Sequence, residues 1–230
     1  MKKNDLLFCS LFVLLFFPFF ISDEPYHFYK EFNQLHPLIA SFLKFAVLAT
    51  LGELIGLRIK TRNYFQKGFG VLPRAIVWGF LGITIKIAFV IFAVGTPAFL
   101  ESIGLEDIKQ IMSNPITLQK IGVSFSISVA INLIYAPIMM TLHKITDTHI
   151  LSNQGTLKGF LTPIKFGEIF SNLDWNTQWY FTFKKTIPLF WIPAHTITFL
   201  LPPDLQVLFA ALLGIALGIL LAVANLKPQK

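Results

Sequence analysis

Four stretches of about twenty residues each, 38–59, 75–96, 121–142 and 205–225, are almost continuously apolar. Wound as α-helix, about twenty residues cover the roughly 30 Å of hydrocarbon in a bilayer. Lipid offers no hydrogen bonds, so a backbone crossing it must satisfy its own N–H and C=O groups, which a helix does within one segment. Composition agrees with that reading. The chain is 54% hydrophobic and only 13% charged over 230 residues, against about 25% charged in a soluble domain. Its 25 Phe exceed what one soluble core hides. An ordinary cytosolic enzyme, a disordered chain and a secreted disulfide scaffold are excluded. The single cysteine, Cys9, has no internal partner and lies in an apolar run, so it reads as a packed or lipid-facing thiol rather than a reactive one.

Two weaker stretches extend the pattern. Residues 6–21 form a short apolar run after Met-Lys-Lys-Asn-Asp, which has the n-region and h-region of a signal peptide. Ile-Ser-Asp-Glu-Pro-Tyr follows, with no small-residue cleavage site, and this favours a retained first span. Residues 185–201 carry Pro188 and Pro193 around a Leu-Phe-Trp-Ile-Pro core; proline is tolerated in a membrane helix where neighbours or hydroxyls re-satisfy the freed carbonyl. The expectation is an all-α, polytopic bundle of six spans forming one integral membrane domain over residues 1–230.

Lysine and arginine set the orientation. With both termini inside, fourteen basic residues fall on the cytoplasmic side, while only Lys30, Lys109 and Lys120 face the other. This asymmetry is what the positive-inside rule requires. The net charge of +7 therefore reports orientation, and the spread of base along membrane boundaries speaks against nucleic acid as a partner. The connection 143–184 then lies inside, and its Ile169, Phe170, Leu173, Trp175 and Trp179 fit an amphipathic segment at the headgroup level, with an irregular loop as the alternative. Lys67-Gly68-Phe69 and Lys158-Gly159-Phe160 recur on two loops, a similarity too short to establish a duplication.

Lys44, Glu53, Lys86 and His195 fall well inside the spans. Ionisable groups at such depth are costly and point to function. Lys44 is near enough to its span's outer end to snorkel. Glu53 lies about 9 Å and Lys86 about 16 Å from the cytoplasmic boundary at 1.5 Å per residue, so a Glu53–Lys86 pair is within reach; Arg58 or Arg74 is an alternative partner for Glu53. Asn132 and His195 sit near the midplane. Two readings remain open: a polar cavity lined by Glu53, Lys86, Asn132 and His195, or interhelical glue with each polar group tied to a neighbour.

Close helix packing is also written in the sequence. Gly52-Glu-Leu-Ile-Gly56 and Gly214-Ile-Ala-Leu-Gly218 are GxxxG motifs, candidate faces for packing or for a homo-oligomer, and Gly122, Ser126 and Ala130 repeat the small-residue spacing. Enzyme signatures are lacking. There is no Walker A, G-x-S-x-G or H-E-x-x-H motif, and the His143/Asp147/His149 spacing matches no established zinc motif. No catalytic residue, cofactor or metal is expected. The partners expected are the lipid bilayer and an unidentified small solute or ion.

The fifth span and its approach, Asp174-Trp175, Trp179-Tyr180, then Phe190-Trp191-Ile192-Pro193-Ala194-His195-Thr196-Ile197-Thr198-Phe199 and Pro202-Pro203, resemble the C-terminal signature of the Mpv-seventeen and peroxisomal membrane protein family. Trp191, His195, Thr198-Phe199 and Pro203 fall on the signature's tryptophan, polar residue, Asn-Phe pair and proline. His36-Pro37 and Gly52-Glu53 resemble the family's His-Pro and Gly-Asp elements. The departures are His195 for glutamine, Thr198 for asparagine, Glu53 for aspartate, Val207 for arginine and Leu57 for a second glutamine. The likeness covers about residues 36–224 and points to a divergent, bacterial branch in the cytoplasmic (inner) membrane. It implies a channel-like protein passing small solutes or ions. A non-transporting membrane scaffold acting through its helix faces and cytoplasmic loop is the alternative; an intramembrane enzyme ranks third.

Overall fold

The computed structural model describes residues 3–224, and every regular element among them is helical. Lys2, Lys227 and Lys230 of the charge count, the final residue of the run 205–225 and the Cys9 side chain lie outside what is described. The chain opens with α1 (Lys3–Phe16), α2 (Pro18–Ile21) and α3 (Glu24–Leu35). Three long helices carry the apolar runs: α4 (Pro37–Thr61), α5 (Val71–Ser102) and, at the other end of the chain, α13 (Pro203–Ala224). Between them come α6 (Ile108–Ser113), α7 (Leu118–Ile134), α8 (Ala136–Ser152), the short α9 (Leu157–Phe160), α10 (Phe166–Ser171) and α11 (Trp175–Thr177), a wide helix π1 (Gln178–Trp191), and α12 (Ile192–Leu200).

α4, α5 and Pro203–Leu220 of α13 are each long and apolar enough to cross a membrane; α7 and α8, bent by 43°, make a fourth if taken as one crossing. The protein is a membrane protein on this ground. A strip of α5, Phe80, Ile87, Val90, Ile91 and Val94, faces outward, an apolar surface that lipid covers and water would not tolerate. The two weaker stretches are not single long helices. Residues 6–21 divide at Phe17, before Pro18, and 185–201 divide at Ile192, where the winding changes.

Proline explains the bend between α7 and α8. Pro137 has no N–H to give to the Leu133 carbonyl one turn back, so the ladder opens beside Tyr135. α8 then continues to Ser152, so the connecting segment begins there rather than at residue 143. In π1 the bonds reach five residues back: the Ile192 N–H donates to the Ile187 carbonyl, and the Thr186 hydroxyl donates to the Phe181 carbonyl. π-Type winding is rare and is found mostly beside functional sites.

The core joins the long helices. Phe45 and Leu48 of α4, Ile85 and Phe89 of α5, Ile127 and Ile131 of α7, Phe199 of α12 and Ala211 of α13 form one buried cluster. α4 and α13 approach most closely through their glycines. A Cβ on Gly52 would lie 2.9 Å from the Ile215 Cα, and one on Gly218 would lie 3.1 Å from the Gly52 carbonyl oxygen. The two GxxxG motifs thus pack on each other within the chain. A Cβ on Gly214, in the same motif as Gly218, would meet nothing within 4 Å.

Two connections are tied together at the Thr61 end of α4. Gly70 and Gly155 both have positive φ, 72° and 64°. A Cβ on Gly155 would fall 2.5 Å from the Gly70 nitrogen, so only glycine permits this crossing. The junction brings the loop before α5 against the loop after α8, and that places Arg74 beside Asp147.

Candidate functional site

Glu53 lies on α4, Arg74 and Trp78 on the first turns of α5, and His143 and Asp147 one turn apart on α8. The fold brings them together. Arg74 Nη1 donates to Glu53 Oε2 at 2.6 Å and to Asp147 Oδ1 at 2.7 Å. Its Nε donates to the Phe69 carbonyl at 2.8 Å, and the guanidinium stacks 4.4 Å over the Phe69 ring. Trp78 Nε1 donates to Glu53 Oε1 at 2.8 Å, and His143 Nε2 lies 3.2 Å from the same oxygen. An ionised carboxylate only accepts, so His143 carries a hydrogen on Nε2 in this contact. The His143 ring also lies on Trp78, centroids 4.3 Å apart.

Every polar atom of Glu53 is therefore matched, which a carboxylate inside a membrane bundle requires. Glu53, His143 and Asp147 also present an oxygen, a nitrogen and an oxygen within 4.8 Å of one another, a set that could hold a metal ion. Arg74 already bridges the two carboxylates, so a metal would have to displace a guanidinium held by four contacts. The cluster is best described as a charge-neutralising junction of three helices.

It stands at the mouth of a cavity of about 590 Å³. The exposed Lys60, Lys144 and Phe181 form the rim, so the cavity opens at the Thr61 end of α4. From there it runs between α4, α5, α8, π1 and α13 to Asn132 and His195. Asn132 is fully buried; its Nδ2 donates to the Ser128 carbonyl at 2.8 Å and to His195 Nδ1 at 2.9 Å. With Nδ1 accepting, the hydrogen of the neutral ring sits on Nε2 (a tautomer assigned from this contact). The His195 ring packs between Trp191 and Phe89, and Phe89 packs on Phe199. Buried Phe89 lines the inner end, and buried Phe199 packs against it in the core.

Two donors on residues of the wall have no acceptor among the described residues. Trp191 Nε1 and Gln178 Nε2 are buried and make no hydrogen bond there, and both residues line the cavity. Such groups are rare in folded proteins, because leaving one unmatched costs about 1–3 kcal/mol.

Of the four lining residues named from the sequence, Glu53, Asn132 and His195 line this one cavity. Lys86 does not. Glu53 pairs with Arg74, the alternative partner, and Lys86 faces a second, separate cavity near the Pro37 end of α4. Among the family-signature positions, Gly52 and Trp191 line the first cavity, Phe199 packs on Phe89 in the core, the Thr198 hydroxyl donates to the Ala194 carbonyl within α12, and Pro203 lines the second cavity. Sequence reasoning missed Trp78, Asp147 as an Arg74 partner, and Gln178. Asp147 carries a signal, since it is an acid one turn after His143 on a largely apolar helix, but its place between His143 and His149 suggests a metal ligand before an Arg74 partner. No family model matches the chain, and neither a curated protein nor a solved structure does.

Proposed function

We propose that the protein is a channel-like membrane protein that admits small solutes or ions to an intramembrane cavity and passes them across the bilayer. One observation carries this reading: a cavity of about 590 Å³ that opens between Lys60 and Lys144 and reaches inward to His195 and the fully buried Asn132. A scaffold that works through packed helix faces has no use for such a space. The Glu53–Arg74–Asp147 junction, two carboxylates on one guanidinium, makes the mouth polar with one net negative charge, which Lys60 and Lys144 at the rim offset. Phe89 at the inner end, with Phe199 packed on it, is in the position of a closed gate, and passage requires them to part.

Six spans with both termini in the cytoplasm fit this proposal. Asp5 of α1 forms a paired salt bridge with Arg58 near one end of α4, at 2.7 and 2.9 Å. Tyr29 and Asn33 of α3 bond the Asp204 carbonyl near the other. α4 is 25 residues, or about 37 Å, long, so α1 and α2 bridge nearly the full height of the bundle. π1 and α12 would make the fifth crossing. The likeness to the Mpv-seventeen and peroxisomal membrane protein family, and a place in a bacterial inner membrane, belong to the same proposal.

Efflux from liposomes tests it. A Cβ on Gly214 meets nothing within 4 Å, and Gly214 lines the cavity, so Gly214→Leu puts a plug into open space without a clash. Wild type should release small polar solutes faster than empty liposomes, and Gly214→Leu should reduce that release several-fold with an unchanged unfolding midpoint. Equal release by both proteins would overturn the assignment of this cavity as the path.

A further inference from the structure

A second cavity, of about 430 Å³, lies near the Pro37 end of α4. α3 supplies Lys30, Asn33 and Gln34, α5 supplies Lys86, and Pro37 and Pro203-Asp204 begin α4 and α13. Lys86 lies fifteen residues into α5, inside a helix long enough to span a membrane. Among the described residues its ammonium has no hydrogen bond and no ion pair. Lys86 is half-buried and stands beside the starts of α4 and α13, at one end of the bundle. A third lysine is close by: Lys44 Nζ donates to Asn33 Oδ1 at 2.6 Å and lies within electrostatic reach of Lys86. Only Asp204 among the lining residues opposes Lys30 and Lys86, which leaves one excess positive charge on the wall of this open cavity, with Lys44 adding a second from behind Asn33. α4 and α13 also begin at this cavity, and helix starts carry partial positive charge.

We propose that this cavity is a binding site for a phosphate oxyanion, with Lys86 and Lys30 as its charge partners and the Gln34 amide as an added donor. The anion supplies what Lys86 lacks within the chain and relieves the repulsion between Lys86 and Lys44. Free phosphate and the phosphodiester of a lipid headgroup share this chemistry. The site does not depend on passage through the larger cavity, since α5 turns Ile85 and Phe89 toward that one and Lys86 toward this one.

Two binding measurements on the full-length protein, neither involving flux, decide the matter. Inorganic phosphate is titrated into protein in uncharged detergent. Separately, lipid retained from nanodiscs of phosphatidylglycerol or of phosphatidylcholine is counted by native mass spectrometry. Each is run on wild type, Lys86→Met and Lys86→Arg. Saturable phosphate binding, weakened at least tenfold in Lys86→Met and kept in Lys86→Arg, identifies a free anion as the ligand. Selective retention of phosphatidylglycerol with the same dependence on residue 86, without binding of free phosphate, identifies a headgroup. Lys86 is half-buried and makes no ion pair among the described residues, so Lys86→Met should remain folded, and its unfolding midpoint verifies this. No saturable binding of either kind, or binding indifferent to Lys86→Met, overturns the proposal.

Discussion

Arg74 Nη1 sits 2.6 Å from Glu53 Oε2, with 6% and 18% of the two side chains exposed, and this bond ties α5 to α4 inside the bundle. Asp147 accepts from the same nitrogen and adds α8. Replacing Arg74 by Met would leave two carboxylates unmatched at low exposure. Breaking a buried pair from one side costs about 3–5 kcal/mol, and denaturant unfolding in detergent should show a loss of that size. Arg74→Lys should recover only part of it, because a single ammonium lacks the fork that reaches Glu53, Asp147 and the Phe69 carbonyl together. The triple variant Arg74→Met, Glu53→Gln, Asp147→Asn should be more stable than Arg74→Met alone.

The glycine contact between α4 and α13 predicts a sharp contrast. At Gly52 an added methyl meets Ile215 backbone at 2.9 Å, and overpacking of this kind costs about 1–3 kcal/mol. Gly122 meets nothing within 4 Å and lies in α7, where alanine is favoured over glycine by roughly 1 kcal/mol. Thermal melts should therefore show Gly52→Ala falling and Gly122→Ala unchanged or rising. Equal effects would mean that α4 and α13 do not meet through their glycines.

How far the sequence reached is clearest at these sites. The apolar runs identified α4, α5 and α13 because twenty apolar residues have few alternatives to a membrane helix. Both GxxxG motifs were legible, but that each is the other's partner was not, since spacing along one helix says nothing about which helix faces it. Glu53 stood out as a charge in lipid, and Arg74 was named among its partners. Choosing Arg74 over Lys86 required the rotation of α5, which turns the two lysine and arginine positions toward different cavities. The bend at Tyr135 and the π-type winding before Ile192 depend on tertiary contacts and leave only prolines as traces.

Tyr29 gives a prediction in pH. Burial, with the Asp204 carboxylate and then Tyr26 adding to it, pushes its phenol up to about 12. The folded state holds this proton more tightly than the unfolded chain, whose tyrosine ionises near 10. The stabilisation is thus complete below about pH 10 and is lost as pH rises from about 10 to 12. Measured against Tyr29→Phe, wild type should lose extra stability across that window. Parallel curves would place Tyr29 in water.

Trp191 separates stability from passage. Its buried indole N–H has no acceptor among the described residues, so Trp191→Phe deletes an unmatched donor and should leave the unfolding midpoint unchanged or raised. If solutes use that donor, liposome efflux of acceptor-bearing solutes should change while efflux of apolar solutes of like size does not.

Planar-bilayer recording of the purified protein tests the central claim most directly. The account predicts discrete conductance or solute-dependent current in wild type that Gly214→Leu suppresses. Silence of folded wild type across pH and voltage would contradict it, and would return the bundle to the role of a membrane scaffold.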